Sequence, residues 1–184
     1  MKKFSGLLIC LTLLFACNTD PKTEEKTEAV ASPASSDAAP RDYALGDEKY
    51  TALAKKSSAG LASGDIDALM ADFADNAVYH FNNYDSIVGK PAITDYWKKR
   101  RTDVIDSMSY TSPIWLPMKV INPLTAGQQT GNYALAWLVL NAKYKTGKSV
   151  KERIHTVYHF NDNDKIDRVS SYLDRAPINA ALAK

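Results

Sequence analysis

Three histidines, a late aspartate and a handful of aromatic and hydroxyl side chains are the groups in this sequence that could do chemistry. His155 and His159 stand four apart, a spacing that on a helix would offer two zinc ligands. Ile154, Thr156, Val157, Tyr158 and Phe160 around them favour a strand. There, four residues span about 13 Å, too far for two ligands of one ion at about 2.1 Å. No metal site is expected. His80 has two open readings: a hydrogen-bonding or acid–base group in a pocket, or a satisfied histidine at a sheet end. Trp97, Trp137 and Tyr133 could wall an apolar cavity, since aromatic surfaces with few polar groups suit small molecules. Trp137 is read as core, and Trp97 is left open between core and cavity. Serine-nucleophile elbows, phosphate-cradling glycine loops and HExxH zinc patterns are absent from the sequence.

The elements that must position these groups are legible from Asp47 onward. Tyr50, Leu53, Ala54 and Leu61 recur at helical spacing, and Gly64 can end that helix with a positive φ. Asp65 caps a second, short helix carrying Ile66, Leu69, Met70 and Phe73. A strand over Ala77–Phe81 and a loop over Asn82–Ser86 come next. Pro91 then marks the first turn of a third helix with Ile93, Tyr96 and Trp97 as its stripe. That helix ends in Lys98-Lys99-Arg100-Arg101, read as a solvated terminus with cations favourably placed near the C-terminal carbonyls. Contact of this run with anionic lipid headgroups is the other reading.

Strands fill the remainder. Tyr110–Val120 is interrupted by Pro113 and Pro117, as an edge or bulged strand would be. Asn132–Leu140 is apolar at both parities, so both its faces should be covered. Turns at Lys145–Lys148 and Asn161–Asp164 separate strands over Val150–Phe160 and Ile166–Leu173. Helices first and an antiparallel meander after them predict an α+β domain over 47–184, its helices on one face of a bent sheet.

Ahead of this domain lies an address. Met1-Lys2-Lys3 and the apolar run Leu7–Ala16 have the form of a signal peptide, too short for a bilayer core of about 30 Å. Leu14-Phe15-Ala16-Cys17 resembles a lipobox, which implies that residues 1–16 are removed and Cys17 is acylated. Acyl chains would tether the protein to a membrane outside the cytoplasm, in the cell envelope. Residues 18–46 lack large apolar side chains over most of their length and read as a flexible stalk. Cys10 and Cys17 are the two cysteines, so the mature chain has no pair for an internal disulfide or a thiolate metal cage. The sequence carries 23 Lys+Arg against 21 Asp+Glu. Loss of Lys2 and Lys3 balances them, which removes the basic surplus that nucleic acid requires.

Ala62-Ser63-Gly64-Asp65-Ile66-Asp67-Ala68-Leu69-Met70-Ala71-Asp72-Phe73-Ala74-Asp75-Asn76-Ala77-Val78-Tyr79-His80 resembles the opening of the NTF2-like superfamily, within it the SnoaL-like, polyketide-cyclase-related group. Gly89–Ile93 resembles its loop-to-third-helix junction, and Asp164–Ile166 with Ser171–Asp174 its final hairpin. The resemblance spans about residues 47–178. It implies a cone: three N-terminal helices packed on a strongly curved antiparallel sheet, with a pocket at the wide end.

Catalytic members of such a family bring a carboxylate, sometimes with a histidine, from the late strands into that pocket, where it moves a proton beside a carbonyl. If the last turn centres on Asp162-Asn163, His155 lies opposite Ser170, and His155, His159, Arg168, Ser170, Tyr172 and Asp174 share a face. His155 with Asp174 would then form the catalytic pair, with His80 as a further acid–base group and Tyr172 as donor. A slip of one residue sends the set to the other face. Asp174, followed by Arg175 and Pro177, could instead end the strand or pair with a surface cation.

Three functions follow as expectations. The first is binding of a small, mostly apolar molecule, with Trp97, Tyr133, Ser170 and Tyr172 as lining. The second is cofactor-free proton transfer of the isomerase or cyclase kind. The third is homodimerisation, or docking of an envelope protein, through the sheet face. No cofactor is expected, since nucleotide cofactors are scarce outside the cytoplasm.

Overall fold

The computed structural model describes residues 41–183. The expected signal peptide, Cys17 and the expected stalk up to residue 40 lie outside the described residues. Helix α1 (Glu48–Ser63) starts where Asp47 accepts a hydrogen bond from the Lys49 amide at 2.8 Å. It ends at Gly64, whose φ of 86° lets its N–H reach back to the Gly60 and Leu61 carbonyls. Gly60 lies where α1 meets α2: a Cβ there would stand 2.4 Å from the Leu69 backbone nitrogen.

Asp65 caps α2 (Ile66–Met70) through the Ala68 amide. This helix stops short of Phe73, contrary to the sequence expectation. The Asp72 carbonyl accepts from the Ile166 amide at 2.8 Å, which draws the chain into the sheet one residue before β2 (Phe73–Phe81) begins. β3 (Ser86–Val88) returns against β2, and α3 (Lys90–Asp103) follows with Pro91 in its first turn.

Four long or central strands complete the sheet: β4 (Ile105–Val120), β5 (Gly131–Tyr144), β6 (Ser149–Phe160) and β7 (Ile166–Tyr172). β1 (Tyr43–Leu45) pairs with the end of β4, so the last residues read as stalk belong to the sheet. Too short to show a periodic pattern, β1 is held by its backbone bonds to β4. The order is β1-β4-β5-β6-β7-β2-β3. All neighbours run antiparallel except β2 and β7. Bulges bend the sheet, one of them between Thr111 and Ile114 around Pro113, as the proline predicts. The result is a curved, unclosed sheet whose concave face is packed by the helices.

Residues from α1 and α3, among them Ala54, Leu61, Ile93 and Trp97, form one core with inner-face residues of the sheet such as Leu138, Ile154 and Val169. The expectation that β5 is covered on both faces fails. Ala134, Ala136, Leu138 and Leu140 point inward and are buried, while Trp137, on the other parity, is 41% exposed. Trp137 is therefore surface rather than core: the helices cover only the concave side, where small alanines let them approach. A final helix, α4 (Arg175–Leu182), packs against β6.

Candidate functional site

Between the helices and the concave face lies a cavity of about 110 Å³. Its deep wall is built by alternation: Tyr79 on β2, Leu138 on β5, Tyr158 on β6 and Val169 on β7 are buried and all line it. Trp97 closes one side, with its ring edge-on to Tyr79 at 5.7 Å and to Tyr96 at 5.1 Å. At the other end the lining residues become half-buried or exposed, which marks the mouth. Phe81 and Asn82 come from the end of β2, Tyr96 and Arg100 from α3, and Arg175 and Asn179 from α4.

The cavity is apolar but not featureless. Burial pushes the Tyr158 phenol up to about 12, opposed by its bond to Ser58. Burial raises Tyr79 beyond that range and holds Tyr110 well above the ordinary phenol value. These phenols stay neutral at physiological pH and act as hydrogen-bonding groups. No histidine, aspartate or glutamate lines the cavity among the described residues.

The register of the last hairpin explains where the sequence-predicted groups went. The turn centres on Asn163, and a bulge between His159 and Phe160 adds one more residue, so His155 lies opposite Tyr172 instead of Ser170. His155, His159, Arg168, Ser170 and Tyr172 do share a face, but it is the convex one. The inner parity belongs to Ile154, Thr156 and Tyr158 on β6 and to Val169 and Ser171 on β7. His155 donates from Nδ1 to the Ala136 carbonyl and stacks between Trp137 and Tyr172. His80 also lies outside, pairing with Ser170 across β2 and β7 while Tyr79 and Phe81 face in. Burial, and secondarily Arg168, holds the His80 imidazole below its usual range.

Tyr133 is buried on the outer side, where its hydroxyl donates to the Gln129 carbonyl at 2.7 Å and its ring meets His159 edge-on. Asp174 leaves the strand altogether: its carboxylate caps α4 by accepting from the Ala176 amide at 2.8 Å. Of the residues singled out from sequence, Trp97 alone lines the cavity. His155, His80, Asp174, Tyr172, Ser170 and Tyr133 do not.

The sequence profile of the SnoaL-like domain matches residues 54–169, from the middle of α1 into β7. The chain belongs to the SnoaL-like domain family. Solved structures agree with this fold. A candidate polyketide cyclase from Xanthomonas campestris pv. campestris superposes with a TM-score of 0.59 at 16% identity, over 74% of this chain and 98% of its own. A candidate isomerase from Bacillus subtilis gives 0.56 at 21%, over 73% and 92%. An LEH-like epoxide hydrolase from M. tuberculosis gives 0.53 at 14%, over 73% and 89%. At these identities the likeness is one of fold. No curated protein matches the chain.

Three charged residues emerge at or behind the cavity that the sequence reading did not assign to a site. Glu152 has the inner parity of β6, between Val150 and Ile154, with both carboxylate oxygens buried and without a hydrogen-bond partner. Burial, with the Asp174 charge adding to it, holds this carboxyl above its usual range. Its signal was a glutamate in step with Val150, Ile154, Thr156 and Tyr158. Arg100 lies three residues from Trp97 and seven from Ile93, on the apolar stripe of α3, and Arg175 opens α4.

Proposed function

We propose that this SnoaL-like domain binds a small, mostly apolar molecule in its cone cavity, while lipid on Cys17 tethers it to a membrane outside the cytoplasm. The observation that carries the reading is the cavity wall: buried aromatic and aliphatic side chains, neutral phenols, and no acid–base pair among the described residues that line it. Such a wall offers apolar contact and a few hydrogen bonds, the composition of a binding pocket. Its volume is comparable to engineered cavities that take up one aromatic ring. The lipobox-like Leu14–Cys17 and the residues between it and Tyr43 support the tether.

The test is ligand-induced stabilisation. One-ring compounds at saturating concentration raise the melting temperature of the wild type, because a ligand that binds only the folded state stabilises it. Ala142→Phe, which fills the cavity from β5, abolishes the rise. A rise of equal size in Ala142→Phe would place binding elsewhere and overturn the reading.

Glu152 favours a second reading, cofactor-free proton transfer of the isomerase or cyclase kind. A carboxyl with buried, unpartnered oxygens, held above its usual range by burial, is the kind of group that exchanges a proton. Glu152 has the inner parity of β6 that Asp174 and His155 lack, although it stands behind the cavity wall. The exposed Ile114, Leu116 and Trp137 on the convex face support the third, dimerisation or docking through the sheet.

A further inference from the structure

The mouth of the cavity carries two guanidinium groups with nothing anionic to meet. The Arg100 guanidinium carbon lies 5.7 Å from the centroid of the Tyr96 ring, and that of Arg175 lies 5.8 Å from Phe81. Tyr96 and Phe81 touch each other, centroids 5.4 Å apart. The two cations thus flank a pair of contacting rings, and all four side chains line the same opening. No carboxylate comes within 4.0 Å of either guanidinium among the described residues. The hydrogen bond from Arg175 to Asn83 Oδ1 is long, at 3.4 Å.

A guanidinium stacked on an aromatic face keeps its in-plane N–H donors free, and their fork geometry matches a carboxylate. The neighbouring acids do not occupy them. Asp174 spends one oxygen on the Ala176 amide. Glu152 sits apart from the cavity wall, and burial draws it toward its neutral form.

We propose that the molecule held in the cone is a small carboxylic acid: its apolar body lies against Tyr79, Trp97 and Tyr158, and its carboxylate meets Arg100 and Arg175 at the mouth. The inference rests on the binding reading above and adds the charge of the ligand. An ester of the same body forfeits the ion pair and the bidentate fork, and an amine meets two cations.

Calorimetry on the detergent-solubilised full chain with benzoate, methyl benzoate and benzylamine tests it. Benzoate binds about tenfold or more tighter than methyl benzoate, and benzylamine binds more weakly than both. Arg100→Met and Arg175→Met each remove most of the preference for benzoate, lowering benzoate affinity far more than that of methyl benzoate. Arg100→Lys, which keeps the charge with less disturbance of the helix, retains part of the preference. Methyl benzoate binding as tightly as benzoate, or benzoate binding unaltered in both methionine variants, overturns the acid assignment and leaves the cavity reading standing. Absence of binding by all three compounds overturns both.

Discussion

Ser58 and Tyr158 meet hydroxyl to hydroxyl at 2.7 Å, one from the helix layer and the other from the inner face of the sheet. Both are buried, so the bond fixes the spacing of the two layers where they enclose the cavity. Tyr158→Phe keeps the ring and leaves the Ser58 hydroxyl without this partner, at a cost of about 1–2 kcal/mol. Urea unfolding measures it, and an unchanged midpoint would show that the layers do not depend on the bond.

The convex row of Trp137, His155 and Tyr172 is expected to act on stability and not on the cavity. His155→Ala removes two ring contacts and the bond to the Ala136 carbonyl, which costs about 1 kcal/mol. Asp174→Ala removes the α4 cap at a similar cost of about 1 kcal/mol. Ligand affinity measured by calorimetry stays within about twofold in His155→Ala, since the residue does not touch the cavity.

Glu152 has the opposite sign. Its carboxyl is raised from the ordinary 4.5, so above that value the unfolded chain releases a proton that the folded chain retains. Stability is fully present below 4.5 and falls as pH rises through the folded value. Glu152→Met removes this slope and the burial of two unpartnered oxygens, and raises stability at pH 7 by about 1–2 kcal/mol. Denaturant titrations at pH 4.5 and pH 7 compare the two proteins.

His80 tilts the profile the other way. Burial depresses it, so below its ordinary 6.5 the unfolded chain takes up a proton that the folded chain resists. Stability is therefore lost as pH falls from 6.5 through the folded value. His80→Gln flattens that part of the melting-temperature profile and leaves the slope due to Glu152 in place.

The proposed tether makes a prediction independent of the fold. Cys17→Ser moves the protein from the membrane fraction to the soluble fraction, since no acyl chain can then be attached. Wild type and variant retaining the same distribution would remove Cys17 as the anchor.

Which features could be read from sequence follows from the range of the forces involved. Asp65 as a cap, Gly64 as a terminator, Pro91 in a first turn and the bulge at Pro113 are local effects of single residues on their own backbone. The face on which His155 lies is not local. It depends on which parity of β6 the helices cover, while the turn and the bulge beside His159 set its cross-strand partner. Alternation places Ile154, Thr156 and Tyr158 on one face, and their apolar weight against the mixed set of His155, Val157 and His159 is the clue in the sequence. Helix α4 was hidden because Pro177 reads as a break, although in the first turn a proline displaces no helical hydrogen bond. Arg100 was hidden inside a basic run that the structure divides: Lys99 pairs with Asp103, Arg101 reaches Ala62, and Arg100 alone of the three reaches the cavity.

Native mass spectrometry of the full chain, released intact from host membranes, puts the occupied cavity to its most direct test. The account predicts a protein carrying a non-covalent small molecule that is lost from Ala142→Phe. Wild type and Ala142→Phe both appearing with no added mass beyond covalent lipid would contradict it.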